Sequence, residues 1–298
     1  MNAKNKIGEG LHGSVYLSEH KGFDCVIKIA NKKRYGKVFA EEVAIMKKLQ
    51  GCKHVVQMLD YKIDPKYDHS CTSFSSSFSS SFSSSSSDAS DSKSWIKYER
   101  LYNPLRVHCS DMCGKPYCVN CNKKSIRKQL RTALREIHSR GVVHTDLKPN
   151  NIMFIGDVLK LIDFSCALLA HQLTSDCLIG TLYTQPPAGL LGNPITYRVD
   201  YYLANLMLNQ QQTDYTSRHR IPPMACIIGT MLVNKSITKD MIRYGSKAHR
   251  YFVKIDGKLR FKYHYLLDCI VSNIRYDIFA HTESHHYPES FVSDAFDI

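Results

Sequence analysis

The chain has 298 residues, 43% of them hydrophobic, enough to build one large domain or two lobes and to exclude wholesale disorder. Its 40 Lys and Arg against 27 Asp and Glu leave a formal charge of +13, which favours acidic partners (nucleic acid, acidic protein segments or anionic lipid) or else describes a solvated basic surface. The opening MNAKNKIGEG lacks the apolar stretch of a secretory leader, and the longest apolar-rich run, Met224 to Val233, is too short to span a bilayer, so a soluble intracellular protein with no membrane span is expected.

In chain order, Ile7 to Leu17 and Cys25 to Ala30 read as strands, Val38 to Leu49 as a helix and Val55 to Tyr61 as a further strand. Within IGEGLHGSVYL, Gly8, Gly10, Gly13 and Val15 fit a glycine-rich turn between two strands. Glycines let a backbone approach phosphate oxygens and expose its amides, although taken alone the pattern reads as a plain hairpin. In CVIKIA a single cation, Lys28, interrupts an apolar strand, and a buried ammonium requires a carboxylate or phosphate partner.

From Ser70 to Ser94 the chain is mostly serine, with Phe74, Phe78 and Phe82 interspersed. Such a segment buries too little apolar surface to fold and reads as a disordered insertion, either a repeat-expanded loop or a docking or phosphorylated segment. A strand resumes at Trp95 in WIKYERL. Cys109, Cys113, Cys118 and Cys121 follow, with three, four and two residues between them. Without a leader, eleven cysteines argue against a disulfide framework. This group of four either binds Zn2+ tetrahedrally or forms unligated thiols in an exposed loop. A helix is expected from Ser125 to Arg140, with Ser125 as N-cap, Gly141 as stop, and Leu130, Ala133, Leu134 and Ile137 on its apolar face. Short strands at Val142 to His144, Ile152 to Phe154 and Leu159 to Ile162 precede a mainly helical remainder, whose boundaries beyond Tyr215 the pattern does not fix.

The most specific segment is VVHTDLKPNNIMF, residues 142 to 154, which resembles the catalytic loop of eukaryotic protein kinases. The resemblance runs from residue 7 to about 205. It implies an α+β bilobal fold: residues 1–101 as an N-lobe with a small antiparallel sheet, one main helix and the insert at about 70–94; residues 102–124 as hinge and cysteine-rich segment; residues 125–298 as a mostly helical C-lobe, divergent after about 215. By the same match Asp146 orients and deprotonates a substrate hydroxyl, Lys148 neutralises the transferring phosphate, and Asn151 holds a metal ion. Asp163 in LIDFS resembles the aspartate of the family's Asp-Phe-Gly motif, a hard ligand for Mg2+, or Mn2+ in its place, with Phe164 packing beneath the main N-lobe helix. Lys28 would hold the α- and β-phosphates of ATP and pair with Glu42, while Glu41 faces about 100° away on the helix. Ile7, Gly8, Gly10, Gly13 and Val15 would cover the nucleotide. Tyr98 would be the gatekeeper, with the Glu99 carbonyl and Leu101 amide meeting adenine.

Gly180 and Thr181 match the residues that seat a hydroxyl substrate, and Asp200 the aspartate that braces the catalytic loop. Three residues depart from the family pattern: Thr145 stands for arginine, Ser165 for glycine and Pro187, in Gln185-Pro186-Pro187, for glutamate. Loss of the arginine removes the usual receptor of an activation-loop phosphate, so activity without that phosphorylation is expected. The implied reaction is transfer of the γ-phosphoryl group of Mg-ATP to Ser/Thr of protein substrates. A pseudokinase scaffold, a small-molecule phosphotransferase and a basic nucleic-acid-binding module are the competing readings. The compact, divergent chain is also similar to kinases of large DNA viruses, that of African swine fever virus among them, which would place it in host cytoplasm and the virion.

Overall fold

The structure is a computed structural model, and it describes residues 5–67, 93–106, 118–174, 179–181, 184–208, 223–264 and 267. The serine-rich insert up to residue 92, together with Cys109 and Cys113, lies outside that set. The chain divides into two compact units, Met1–His171 and Gln172–Ile298. No helix among the described residues is long and apolar enough to cross a membrane.

In the first unit β1 (Lys6–Glu9), β2 (Gly13–His20), β3 (Phe23–Ala30), β4 (Met58–Lys62) and β5 (Trp95–Glu99) form an antiparallel sheet in the order β1-β2-β3-β5-β4. Its register sets Lys28 on central β3 opposite Val15 on one side and Ile96 on the other. Helix α1 (Gly36–Leu49) buries Phe39, Val43, Met46 and Leu49, spaced as one helical face, and Glu42 lies among them at 1% exposure. The expected strand from Val55 begins three residues late. Val55 and Val56 pair instead with Leu161, and Leu161 N–H donates to the His54 carbonyl, so the backbone of 54–56 is already committed elsewhere.

Helix α2 (Val119–Ser139) also departs from expectation, since Ser125 is not its N-cap. The helix starts six residues earlier, at Val119, whose N–H reaches the Arg106 carbonyl, and it kinks at Asn122. Cys118 and Val119 are fully buried there, so apolar burial carries the chain into the helix before the polar serine is reached. Its far end stops at Gly141, with φ +71°, whose N–H donates to the His138 carbonyl. The buried face is formed by Ile126, Leu130, Ala133, Leu134 and Ile137. The strands β6 (Asn103–Pro104), β8 (Ile152–Ile155) and β9 (Val158–Leu161) pair in the order β6-β8-β9, and β7 (Val142–Val143) pairs with β10 (Leu168–Leu169).

The second unit holds α3 (Pro187–Leu191), α4 (Arg198–Leu208), α5 (Pro223–Val233) and α6 (Lys239–Tyr244). Leu190, Leu191, Ile228, Met231 and Ile242 share one apolar cluster with Phe252 and Phe261. The last two belong to β11 (Phe252–Ile255) and β12 (Lys258–Phe261), an antiparallel hairpin where helix was expected. Asp256 and Gly257, both at positive φ, make its two-residue turn, the Asp-Gly pairing that suits the twist of a tight hairpin.

Candidate active site

Lys28 projects from β3 at 9% exposure, too deep for an unpaired ammonium. Its Nζ lies 2.9 and 2.8 Å from the two carboxylate oxygens of Glu42 and 2.8 Å from Asp163 Oδ1. Burial, the largest single influence, favours loss of the Lys28 proton, but the charges and hydrogen bonds of Glu42 and Asp163 outweigh it and hold the pKa above the ordinary lysine value. Glu41 is turned away and sits 3.8 Å from Lys37 on the helix exterior.

Two hydroxyls complete this network. Tyr98, buried on β5, donates to Glu42 Oε1 at 2.8 Å, and burial followed by the Glu42 charge raises its phenol well above the usual range. Ser165 donates to Asp163 Oδ1 at 2.8 Å. Burial pushes the Asp163 carboxyl up, yet Lys28 and this serine together hold it below the usual carboxylate range.

The segment containing Asp146 is fixed from below. His144 is fully buried, its Nε2 lies 3.0 Å from the Ile162 carbonyl, its Nδ1 accepts from Asp146 N–H at 3.3 Å, and its ring meets Phe164 at 4.7 Å. Asp146 Oδ2 accepts from Lys148 Nζ at 2.8 Å and from Asn151 Nδ2 at 3.2 Å, and Asn151 Nδ2 also reaches the Asp146 carbonyl at 2.8 Å. Ile162 N–H in turn donates to the Asn151 carbonyl at 3.0 Å, tying the Asn151 turn to the strand that delivers Asp163. Thr145 holds φ +65°, an uncommon conformation for a β-branched residue, and its hydroxyl donates to the Cys166 carbonyl at 2.7 Å.

Asp163 Oδ2 and Asn151 Oδ1 receive no hydrogen bond among the described residues, whereas Asp163 Oδ1 and Asn151 Nδ2 are engaged. Two hard oxygens of this kind are the donor type that would suit Mg2+.

The glycine loop closes on itself through Gly10 N–H to the Gly13 carbonyl at 2.8 Å. Asn31, which the sequence did not single out, clasps it: Nδ2 donates to the Gly10 carbonyl at 2.9 Å and Oδ1 accepts from Ser14 Oγ at 2.8 Å. Only Gly13 is demanded by packing, since a Cβ there would come within 2.9 Å of the Phe39 ring and of the Ile29 carbonyl. A Cβ at Gly8 or Gly10 would meet only ordinary contacts, so the fold itself does not require glycine at either position. Ile7 stands 55% exposed on β1, an apolar side chain with no core to enter.

Glu99 ends β5, and its Oε1 accepts from Gln57 N–H at 2.9 Å and pairs with Lys160 at 3.0 Å. Leu101 follows two residues later, and its N–H has no acceptor among the described residues. Gly180, with φ +54°, and Thr181 lie in the second unit, where the Gln185 side chain bonds the Ile179 and Thr181 carbonyls and Pro187 opens α3. Asp200 is fully buried in the first turn of α4. Cys118 is buried and Cys121 is on α2, while Cys109 and Cys113 fall outside the described residues. No group of three or more His, Cys, Asp or Glu among the described residues could hold a metal ion.

Comparison with known proteins adds to this geometry. The protein kinase domain family matches residues 1–219. Dual specificity protein kinase TTK of Mus musculus is 23% identical over 217 residues, covering 71% of this chain and 21% of that protein. Cyclin-dependent kinase 4 of Mus musculus is 24% identical over 210 residues, 66% of this chain and 62% of that protein. Serine/threonine-protein kinase Pkn1 of Myxococcus xanthus is 33% identical over 98 residues, 30% of this chain and 14% of that protein. The matched region therefore spans less than two thirds of each of these relatives.

Proposed function

The chain belongs to the protein kinase domain family, and from that membership we propose that it transfers the γ-phosphoryl group of ATP to serine and threonine hydroxyls of proteins. The observation that carries this reading is the convergence of Lys28, Glu42 and Asp163 in one buried ion network, in the same unit as the braced loop of Asp146, Lys148 and Asn151. Phosphoryl transfer needs positioning and charge stabilisation more than covalent assistance, and these residue types supply both.

Lys28, kept protonated by its two carboxylates, presents a fixed charge to the α- and β-phosphates. Asp146 takes the proton as the substrate oxygen bonds to the γ-phosphorus and the bond to the ADP oxygen breaks. Lys148, held at 2.8 Å from Asp146, offsets charge on the moving phosphoryl group. Asn151 and Asp163 would hold Mg2+, which would supply positive charge to offset that of the phosphates. Ile7, Gly8, Gly10, Gly13 and Val15 cover the nucleotide, and the Glu99 carbonyl and Leu101 amide take adenine.

Independence from activation-loop phosphorylation is part of the proposal. What supports it is Thr145, which stands where the family has the phosphate-receiving arginine and whose hydroxyl bonds the Cys166 carbonyl instead. Purified protein incubated with labelled ATP, Mg2+ and a protein acceptor should label serine and threonine, with Asp146→Asn reduced about 10²- to 10⁴-fold. Equal labelling by Asp146→Asn, Lys28→Met and the parent would remove the enzyme reading. The double variant Thr174→Ala, Ser175→Ala tests the regulatory part: it should keep activity near that of the parent, and loss of activity in it, with the parent active only when phosphorylated at Thr174 or Ser175, would end it. Zinc on Cys109, Cys113, Cys118 and Cys121 stays a separate proposal, and metal analysis of the Cys118→Ser, Cys121→Ser variant beside the parent decides it.

A further inference from the structure

Helix α2 carries a second, differently built electrostatic feature. Lys124, Arg127, Lys128, Arg131 and Arg135 are all exposed. At 100° per residue they fall within about 100° of arc, and at 1.5 Å per residue they run along about 16 Å of the helix. The apolar face formed by Ile126, Leu130, Ala133 and Ile137 points the other way, into the core. Among the described residues none of the five cations has an ion pair. The one carboxylate of this stretch, Glu136, lies off the stripe and accepts from the backbone N–H groups of Lys53 and His54.

This arrangement works against the helix that carries it. Lys124–Lys128, Arg127–Arg131 and Arg131–Arg135 are like-charge pairs one turn apart, each of which destabilises a helix. No acidic residue occupies the first turn, where the helix dipole favours anions. Burial does not explain the stripe, because all five side chains are in water, and the core would be served equally by neutral or alternating charges.

We propose that this face is a rail for the phosphate backbone of nucleic acid, bound without reading bases. A polyanion would relieve the repulsion among the five cations, and the net charge of +13 would steer it there. Three of the five are arginines, whose planar fork matches phosphate oxygens. The positions beside the stripe on its exposed side, Ser125 and Thr132, are small and polar. Peptide recognition relies on apolar or aromatic anchors seated in pockets, and membrane-surface binding on an inserted apolar face, neither of which this surface offers. Phosphate contacts need only spaced cations and carry no sequence information.

The test uses the whole chain and a labelled DNA duplex of arbitrary sequence, with affinity read by anisotropy between about 50 and about 200 mM KCl. The triple variant Arg127→Gln, Arg131→Gln, Arg135→Gln should bind at least tenfold more weakly at the lower salt. Its slope of log affinity against log salt should flatten by about 2 to 3, close to 0.9 per lost phosphate contact. Its thermal midpoint should be equal or higher, because repulsion is removed. A charge-matched control, Lys239→Gln, Arg243→Gln, Lys254→Gln, should keep most of the slope. Equal losses in both triples would overturn the rail in favour of diffuse charge, as would no loss in the first. Duplex binding indifferent to the three arginines, with polyglutamate or anionic vesicles depending on them, would also overturn it and point to an acidic protein or a lipid surface. If the triple melts early, Arg131→Glu supplies the same test, since it creates favourable pairs with its helical neighbours while reversing charge at the centre of the rail. Kinase activity is a separate readout, so failure of the rail leaves the proposed reaction untouched.

Discussion

Lys28 and the outer face of α2 show two opposite ways to place positive charge. At Lys28 one buried cation has two carboxylates within 2.8 Å, and those carboxylates are themselves held by Tyr98 and Ser165. On α2 five exposed cations stand in line with no carboxylate among them. A buried charge must be compensated from within the fold, because nothing else can reach it. An exposed charge left uncompensated at a cost to its own helix is compensated from outside or not at all. The first pattern therefore describes a preformed site and the second a surface that waits for a partner.

The comparison breaks most easily at Glu42. Replacing it with alanine leaves Lys28 with Asp163 alone and strips Tyr98 of its acceptor, so denaturant unfolding should show a loss of about 3 kcal/mol. A loss below about 1 kcal/mol would mean that the network is not a preformed unit.

Acid should expose the same network next. Asp163 has a depressed pKa in the fold, so its contribution is present above the unfolded value near 4 and fades as pH falls below it. Lys28 has a raised one, so its contribution is full below about 10.5, the unfolded value, and is lost as pH climbs through the folded pKa. Asp163→Asn should accordingly flatten the decline in stability below about pH 4, measured by urea titration at fixed pH values. An unchanged acid limb would show that other carboxylates govern it.

Tyr98→Phe is a finer probe. It removes one hydroxyl while Glu42 keeps Lys28, and about 1 kcal/mol should be lost. The smallest change is expected on α2, where Arg131→Glu turns two repulsive pairs into attractive ones and should stabilise the protein by about 0.5 to 1 kcal/mol. Opposite signs for substitutions at the two places would sharpen the contrast, and destabilisation by Arg131→Glu would erase it.

Much of the candidate site could be read from local patterns. Lys28 was marked by being a cation in an apolar strand, and Asp146, Asn151 and Asp163 by fixed short spacings that the structure turns into shared hydrogen bonds. What was not legible depends on partners far away in the chain. Nothing in WIKYERL says that the Tyr98 hydroxyl will meet a carboxylate 56 residues earlier. Ser165 stands out in the sequence only as a departure from the family's glycine, although a hydroxyl two residues from a carboxylate is also a local donor. The start of α2 is not legible from capping preference alone, because the burial of Cys118 and Val119 begins the helix ahead of Ser125. The Asp256-Gly257 hairpin differs in kind: the turn signal was in the sequence, between alternating apolar residues, and the expectation of helix passed over it.

Asn31 closes the account of the glycine loop from its thermodynamic side. Its side chain bonds the Gly10 carbonyl and Ser14, and its own N–H bonds the His12 carbonyl at 3.0 Å, so three points of the loop are fastened to the end of β3. A glycine-rich segment left loose would have to surrender its backbone freedom when a nucleotide arrives, and that loss would be subtracted from the affinity. Here the ordering is completed at folding, once, by the bonds of Asn31 to Gly10, His12 and Ser14. In the proposed reaction each incoming nucleotide would then meet a loop whose entropy has already been spent.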